Sequence, residues 1–531
     1  MIRAFQENDA EYLRDESRLT GTADAICFPA SEEAISACLN QAYRENMTVT
    51  IQGARTGLTG GATPPRGLVL NLSRMNRMTG LRCDDSSGKW YLRVQPGVLQ
   101  LDVLNALENR SFDTTGWSAM SLRAAENMHA SAILFFPPDP TEKSASIGGM
   151  AACNASGARS FYYGAMRAHI NALRVVLADG DVVALRRGEA AARGRSFELT
   201  TERGRRIAGM LPDYQPPRIK NAAGFCVRDD MDPVDLFIGS EGTLGIISEI
   251  ELVLRPRPES ICGILAFLPD ESSAWLLVRA LRGEPSNAIS VRLEHKPSAI
   301  ELINHSALDL LRRQKAGNEA FADLPDLPPR FQTGIYFEFD GTADEVEEAL
   351  VASAEIIAQS GGNDEDAVVG DTPAGMERLK FIRHAVPESI NMLIDARRKV
   401  EPALTKLGSD MAVPDDKLEW VMDMYSRGLA QMGLDSAIFG HIGDNHVHVN
   451  ILPNTMQEYE HGKALFLEWA RKIVPAGGTV SAEHGIGKLK RTLLEIMYGR
   501  HKIEQMKQLK LLFDPAGLLN TGNVFSCAGQ S

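Results

Sequence analysis

The chain has 531 residues, more than one hydrophobic core usually serves, so its length predicts at least two domains. Its composition, 44% hydrophobic and 24% charged, is that of an ordinary globular protein and excludes extended disorder and fibrous repeats. A net charge of −13 disfavours nucleic acid as a partner, because phosphate binding needs clustered Lys and Arg.

Cysteine spacing and apolar runs indicate the compartment. The seven cysteines form no C-x-x-C pair, which disfavours an iron–sulfur cluster and indicates reduced thiols. The N-terminal stretch is acidic and lacks the apolar core of a signal peptide, and no apolar run reaches the roughly 18 residues of a membrane span. We therefore expect a cytoplasmic protein without a transmembrane segment; peripheral contact with a membrane stays compatible with this composition.

The first elements along the chain surround a glycine-rich loop. Ser31 opens a predicted amphipathic helix, and two β-rich runs, 47–51 and 68–72, then flank the loop 53–61. The loop joins strand to strand and ends in neither a Rossmann nor a P-loop motif. Its glycines would let backbone amides approach a phosphate closely, although a tight glycine-rich hairpin is the simpler alternative.

Two further glycine clusters follow, at 146–157 and 239–245. The second lies between the apolar runs 234–238 and 246–254, which predict two buried strands joined by a bulged hairpin. Each cluster alone is typical of a turn. Three of them in one domain favour a backbone-lined ligand site.

The second half of the chain has the outline of a ferredoxin-like domain, which we call the cap. Its predicted order is a strand from Ile261, helix 271–281, strand 288–293, strand 334–339, helix 343–359 and strand 367–369. The tail beyond Asp514 is too short for a domain and should dock on an existing lobe. We therefore divide the chain into a first domain at 1–257, the cap at 258–475 and a C-terminal segment at 476–531.

Histidines cluster near the C-terminal end, in the segments 440–450 and 482–487. Alternation along a strand puts His446 and His448 on one face, with His441 across a Gly-Asp bend. Two histidines and a carboxylate form a usual catalytic zinc set that keeps one position open. The alternative is a group of buried histidines that bind backbone carbonyls.

Arg383 lies on a predicted helix of the cap. Its guanidinium could grip a carboxylate through two parallel hydrogen bonds, or it could be an ordinary solvated helix charge. Lys406 and Asp410 are weaker candidates for the same region.

These segments occur in an order that resembles the flavin dehydrogenases of the vanillyl-alcohol oxidase superfamily, in particular the D-lactate, D-2-hydroxyglutarate and glycolate dehydrogenase branch. The resemblance implies an α+β fold with a PCMH-type FAD-binding domain of two subdomains, a ferredoxin-like α+β cap that carries the substrate site, and a C-terminal helical segment that returns to the FAD domain. Covalently flavinylated members often carry a histidine in the first loop. Here that stretch reads Gly-Ala-Arg-Thr, so the resemblance implies non-covalent FAD.

The cofactor contacts that the resemblance implies come from all three glycine clusters, two connecting turns and the tail. They are Gly53, Ala54, Arg55, Thr56, Gly57, Leu58, Thr59, Gly60, Gly61, Pro96, Gly97, Pro138, Asp139, Ser146, Gly148, Gly149, Asn154, Ala155, Gly157, Gly242, Gly245, Ile246, Ile247 and Asn520.

The same resemblance implies roles for the C-terminal motifs. The metal ligands are His441, His448 and Glu483, the base is His484, and the substrate contacts are Arg383, Asn450 and Lys406. The metal is expected to be Zn²⁺, with Mn²⁺ as the alternative. One position departs from the pattern: His446 stands where relatives commonly have asparagine, so it could replace His441 as a ligand or tune the pocket.

We therefore expect an FAD-dependent dehydrogenase that oxidises a D-2-hydroxy acid. Arg383 would fix the carboxylate, the metal would acidify the 2-hydroxyl, and His484 would take its proton as a hydride leaves C2 for flavin N5. Electrons would pass to a separate acceptor such as a quinone or an electron-transfer flavoprotein, and a homodimer is compatible with the sequence. The alternatives are an ether- or carbon-bond-forming flavoenzyme, an oxygen-using hydroxy acid oxidase, a metallohydrolase and a non-catalytic metal-binding protein.

Overall fold

The computed structural model describes residues 2–526, so Cys527 lies outside the described residues. Four sheets, of four, six, two and seven strands, alternate with helices, and the predicted α+β class is confirmed. The six described cysteines are free. Within residues 2–526, every helix is too short or too polar to cross a lipid bilayer.

The first sheet supports the glycine-rich loop. Its strands, in spatial order, are Arg3–Ala4, Ala25–Cys27, Leu68–Asn71 and Val49–Gln52. Ser31 caps the helix Glu32–Arg44 by accepting a hydrogen bond from the amide of Ala34, and the helix packs its apolar face on this sheet. The loop therefore leaves the carboxyl end of a parallel strand.

The second sheet completes the first lobe. It is antiparallel, and a separate hairpin packs beside it. The strands of the sheet are Met78–Cys83, Trp90–Val94, Ile246–Pro256, Ile170–Val176 and Val182–Arg186, with Leu134–Phe135 paired to the third of them; the hairpin is Ser196–Thr200 with Arg206–Met210. The helices of this lobe after the first are Gln100–Glu108, Ala119–Met128, Ile147–Cys153, Ser160–Tyr163 and Val234–Phe237.

The third sheet forms the cap. Its seven antiparallel strands, in spatial order, are Val368–Gly370, Ser260–Leu268, Thr333–Gly341, Ala299–Ile303, Ser436–Gly440, His448–Ile451 and Leu407–Gly408. Its helices are Glu271–Leu281, His305–Gly317, Ala343–Gln359, Pro373–Arg398, Leu418–Met432 and Met456–Ile473. Short 3₁₀ turns lie at Glu7–Leu13, Met166–His169, Glu319–Phe321, Asp364–Asp366, Asp415–Lys417 and Ile442–Asp444.

Two predicted strands are wrong. No strand forms at 288–293. The fully buried strand Ala299–Ile303 pairs with Thr333–Gly341 instead, so that side of Thr333–Gly341 is already occupied. The second is 234–238, where Asp232 accepts a hydrogen bond from the amide of Val234 and starts the helical turn Val234–Phe237. A turn-forming Asp-Pro pair thus overrides the β-rich composition.

The C-terminal segment Arg491–Phe513 consists of two helices that meet at a kink at Gly499, and it docks on the first lobe. Phe513 is fully buried and lies 6.0 Å from Phe197 and 5.4 Å from Phe237, measured between ring centroids. The second sheet ends at Pro256 and the third begins at Ser260. We therefore propose a domain boundary near residue 257. We propose the second boundary near residue 475, because the last helix of the cap ends at Ile473.

Candidate active site

A cavity of about 1190 Å³ lies between the first lobe and the cap. It exceeds the usual 300–1,000 Å³ of a small-molecule site, so it has room for a large cofactor beside a small substrate. The sequence-predicted residues that line it are Gly53, Ala54, Arg55, Thr56, Gly57, Leu58, Thr59, Gly61, Pro96, Asp139, Ser146, Gly148, Gly149, Ala155, Gly242, Gly245, Ile246, Ile247, Arg383, His441, His448, Glu483, His484 and Asn520. The cavity thus joins the glycine clusters of the first lobe to the histidine motifs.

Seven predicted contacts do not line the cavity; they are Gly60, Gly97, Pro138, Asn154, Gly157, Asn450 and Lys406. Three are glycines that permit close packing instead. A Cβ on Gly97 or Gly157 would lie 2.2 Å from the carbonyl oxygen of Leu72 or Asp139, and one on Gly60 would meet a leucine side chain. These glycines do not contact the cavity; they allow close packing of the segments that form its walls.

The other four residues are committed elsewhere. Asn154 accepts a hydrogen bond from the amide of Arg167, and the carbonyl of Pro138 accepts one from a buried glutamine. Asn450 donates to the carbonyl of His448. Lys406 is exposed and donates to Asn391, so the structure keeps it away from the candidate substrate site.

The first glycine loop presents unpaired amides. Among the described residues, the backbone N–H groups of 55–61 donate no hydrogen bond. Successive free amides form a concavity that binds anions, and a helix N-terminus at Ser146–Gly149 faces the same loop. These residues fit the pyrophosphate of FAD, and no histidine stands in the loop to bind flavin covalently.

Asn520 connects the C-terminal tail to the strand that leads into this loop. Its Oδ1 accepts from the amide of Ile51 at 2.7 Å, and its Nδ2 donates to the carbonyl of Glu241 at 2.6 Å. The Glu241 carboxylate in turn accepts from the amides of Ile486 and Gly487 at 2.7 Å each. Three distant segments are thus held at fixed positions around the cavity.

The cap contributes one face of its sheet as the opposite wall. Glu301 is the cross-strand partner of Tyr336, and Glu338 lies two residues further along, so all three side chains point the same way. All three line the cavity. Burial raises the pKa of Glu301, but the charges of His441 and Arg383 outweigh it and hold that pKa at about 2.

Arg383 spans these carboxylates. Its Nη2 lies 3.2 Å from Glu301 and its Nη1 3.4 Å from Glu338, while its buried Nε has no hydrogen-bond partner among the described residues. Arg159 lies 2.7 Å from the other oxygen of Glu338. Arg383 is therefore not a solvated helix charge, and two arginines balance two glutamates beside the cavity. Pro387, four residues on, leaves the carbonyl of Arg383 without its helical amide partner.

The histidine motifs converge with Glu483. His441 Nε2 lies 3.1 Å from Glu483 Oε2, and ligand atoms from His441, His446, His448 and Glu483 all lie within 4.8 Å of one another. Gly440 allows this, because a Cβ there would meet the His448 ring at 2.8 Å. Lys220 also contacts Glu483 Oε2, at 3.1 Å.

The donor set fits a divalent metal. Burial lowers the pKa of His446 to about 4 and that of His448 well below its usual value, which favours the neutral rings that bind metal. Burial also lowers the pKa of His441, but Glu301 and Glu483 outweigh it and raise that pKa to about 9, so His441 must release a proton when a metal binds. Both ring nitrogens of His446 are buried and have no hydrogen-bond partner within residues 2–526. Such an unpaired polar group is costly unless a ligand satisfies it.

Asp410 organises the other side of the cluster. Its carboxylate accepts from the amides of Glu483 and His484, at 3.1 and 3.0 Å. Burial opposes its ionisation, but the charges of His484 and Lys490 hold the pKa of Asp410 well below its usual value. His484 stacks on His448 with ring centroids 5.4 Å apart, and a quarter of its side chain is exposed to the cavity.

Sequence reasoning missed several of these residues, namely Glu301, Glu338, Tyr336, Arg159 and Lys220. The signal that was present is a single glutamate inside each of two strongly apolar strands, Ala299–Ile303 and Thr333–Gly341. A buried charge costs stability unless it is paired, so such a glutamate indicates a partner. Nothing local in the sequence marks Lys220.

The fold and this cavity define a flavin-dependent oxidoreductase, and comparison with known families agrees. The sequence model of one family, the FAD binding domain, matches residues 23–120 and 117–186. The sequence model of a second family, the C-terminal domain of FAD linked oxidases, matches residues 284–524. The chain belongs to the FAD-linked oxidases. The resemblance predicted from its motifs is confirmed.

Curated relatives are similar over nearly the whole chain. Glycolate oxidase subunit GlcD of Bacillus subtilis is 28% identical and covers 95% of this chain and 89% of its own length. D-lactate dehydrogenase of Anaerostipes hadrus is 27% identical, with 98% and 93% covered, and D-2-hydroxyglutarate dehydrogenase of Stutzerimonas stutzeri is 26% identical, with 94% and 91% covered.

Solved structures of alkyldihydroxyacetonephosphate synthase share the fold. One has a TM-score of 0.61 at 16% identity, over 95% of this chain and 77% of that one. At this identity the likeness concerns the fold alone.

Proposed function

We propose that the protein is an FAD-dependent dehydrogenase that oxidises a D-2-hydroxy acid to the 2-oxo acid and passes electrons to a separate acceptor. The observation that carries the proposal is convergence on one cavity: unpaired loop amides on one side, and Arg383, His484 and the histidine–glutamate cluster on the other. Relatives named for glycolate, D-lactate and D-2-hydroxyglutarate support this substrate class.

FAD would be held without a covalent bond by the loop 53–61, the helix start at Ser146 and the connector 239–245. When bound, it supplies the acceptor for the hydride that leaves C2 of the substrate. The chain's contribution is to hold the cofactor's phosphates on backbone amides and to limit access of bulk water through the cap, which forms the opposite wall of the cavity.

Substrate orientation falls to Arg383. The two glutamates fix the plane of its guanidinium, which leaves the second protons of Nη1 and Nη2 for a carboxylate. A preset guanidinium loses little conformational entropy when the substrate binds.

Proton removal falls to His484. It faces the cavity, it lies outside the cluster of four ligand atoms, and its backbone amide is anchored on Asp410. A divalent metal held by His441, His448 and Glu483 would lower the pKa of the substrate hydroxyl. His484 then accepts that proton as general base.

The test is anaerobic titration of the purified flavoprotein with D- and L-2-hydroxy acids, with and without chelator, following the flavin absorbance. We expect bleaching by D-acids that slows after chelation, with stoichiometric 2-oxo acid. A protein that no 2-hydroxy acid reduces would contradict the proposal. Rapid reoxidation by air with turnover would make it an oxygen-using oxidase instead.

A further inference from the structure

His446 has no role in the three-ligand metal site, yet its position is that of a ligand. It is fully buried, at 0% exposure, in the middle of the cluster. Its Nε2 lies 2.9 Å from Asp410 Oδ1, but the ring N–H is not directed at that oxygen. Its Nδ1 lies 3.7 Å from Glu483 Oε2, and no other acceptor or donor within residues 2–526 contacts it.

The three imidazoles surround a common point. The ring centroids of His441 and His446 are 5.3 Å apart, those of His441 and His448 5.3 Å, and those of His446 and His448 4.7 Å. A metal–nitrogen bond of about 2.1 Å places each centroid about 3.2 Å from the metal, so two tetrahedral imidazole ligands have centroids roughly 5.2 Å apart. The observed triangle fits one shared ion.

Each ring also directs its other nitrogen to an oxygen outside the cluster. His441 Nδ1 lies 2.5 Å from Glu301, His448 Nδ1 lies 3.3 Å from the carbonyl of Ser409, and His446 Nε2 lies 2.9 Å from Asp410. Metal-bound histidines are held this way, because the outer acceptor fixes the tautomer and the ring orientation. His441 and His448 make the hydrogen bond, whereas His446 has the acceptor within reach and would need a small rotation of its ring to meet it.

We propose that His446 is a fourth protein ligand, through Nδ1, and that this chain holds its divalent metal with three histidines and Glu483. The proposal rests on the metal site of the proposed function and changes its composition. It also makes the departure at position 446 meaningful: a ligand replaces the asparagine that is common in the pattern this chain resembles.

A four-ligand set has a consequence for the ion. Four protein donors fill a tetrahedral zinc, so a substrate oxygen can join only if the coordination number rises to five. Asparagine at 446 would free that position. The H446N enzyme should therefore bind metal more weakly, while its residual metal should bind small anions such as azide more readily.

The experiment uses the FAD-loaded protein, stripped of metal by chelator and titrated calorimetrically with Zn²⁺. The variants are H446N, H446Q and H448N, with H461N on the exposed face of the helix Met456–Ile473 as the matched control. We expect H446N, H446Q and H448N to weaken Zn²⁺ binding by more than about 100-fold, beyond the loss usual for an outer partner, and H461N to leave it unchanged. Zinc-edge X-ray absorption should count three imidazoles in the unaltered protein and two in H446Q.

Two results would overturn the proposal. If H448N loses zinc while H446N and H446Q keep it, the metal site of the proposed function stands and His446 is no ligand. If the unaltered protein binds no divalent metal, both the fourth ligand and the metal are removed, while flavin reduction by hydroxy acids would still support the dehydrogenase. Far-ultraviolet circular dichroism and FAD content identify a variant that misfolds. If H446N misfolds, the Zn²⁺ affinity of H446Q tests the proposal, because glutamine preserves the volume of the histidine side chain better than asparagine does.

Discussion

Glu301 Oε1 lies 2.5 Å from His441 Nδ1, and its second oxygen lies 3.2 Å from Arg383. One buried carboxylate therefore orients a candidate metal ligand and the candidate carboxylate clamp together. Removing its charge should disturb both.

We predict that E301Q raises the Kd for Zn²⁺ by about 10–100-fold, the usual cost of losing an outer partner of a metal-bound histidine. It should also raise KM for the hydroxy acid, because Arg383 loses one of its two anchors. Calorimetry and steady-state kinetics measure the two effects. E355Q, at an exposed site on a cap helix, is the control, and an unchanged Kd in E301Q would contradict the assigned role.

His484 offers a separate test, because it lies outside the group of four ligands. H484A should lower the rate constant of flavin reduction by about 10²–10⁴, the usual contribution of a general base. FAD content should stay unchanged. Zn²⁺ affinity should also stay unchanged if His484 is a base; a weaker affinity would instead assign it to the second group of possible metal ligands, which is Asp410, His448 and His484. Stopped-flow bleaching measures the rate, with H461A as the control. Near-normal bleaching in H484A would remove it from proton transfer.

Gly57 tests the proposal that the loop 53–61 binds phosphate. It lines the cavity, and an added Cβ would meet no atom within 4 Å, so G57A should fold normally. A methyl group beside the loop amides should hinder the pyrophosphate and raise the Kd for FAD at least about tenfold, or 1.4 kcal/mol. Reconstitution of the stripped protein, followed by flavin fluorescence, measures this.

The matched control is G317A, which also meets no atom within 4 Å and ends a cap helix far from the loop. It should bind FAD as the unaltered protein does. Equal FAD affinity in both variants would exclude the loop at position 57 from cofactor contact.

Glu251 should make the stability of the first lobe depend on pH. Although burial raises its pKa, hydrogen bonds from Arg82, Arg186 and Asn171 outweigh that effect and hold it at about 2, against an ordinary 4.5. The folded state thus binds fewer protons than the unfolded state. The contribution to stability, about 3 kcal/mol, is complete above pH 4.5 and is lost as pH falls toward 2.

The difference in unfolding free energy between the unaltered protein and E251Q should therefore be largest near neutral pH and shrink by about half at pH 3. Hydrogen exchange of amides in the strand Ile246–Pro256 reports it locally, since a chain of several domains need not unfold in one step. E198Q, in an exposed pair with Arg206, should show a much smaller trend, because solvent screens that pair. A constant difference across pH would contradict the assignment.

The features that the sequence could predict are those that its local pattern carries. Free amides need closely spaced glycines, and the metal-type cluster needs several histidines in a short segment, so both were visible along the chain. Helix Ala343–Gln359 was likewise predicted with its observed bounds, and a Thr342–Glu345 capping box begins it in the structure.

The features that it could not predict depend on register between distant strands. Glu301 and Tyr336 face each other only because Ala299–Ile303 pairs with Thr333–Gly341, and a shift of one residue would turn Glu301 away from the cavity. The predicted strand at 288–293 would have given another partner altogether. Lys406, by contrast, had a suitable charge, but its backbone position leaves it outside the site.

The hydrogen bonds of Asn520 to Ile51 and Glu241 also bear on when the first lobe is completed during protein synthesis. Ile51 lies in the strand that leads into the loop 53–61, yet the side chain that accepts a hydrogen bond from its amide lies 469 residues later. At about 5–20 residues per second, a ribosome needs roughly 20–90 s to make that stretch. If Asn520 completes the FAD site as proposed, we expect stable FAD binding only after residue 520 has been translated.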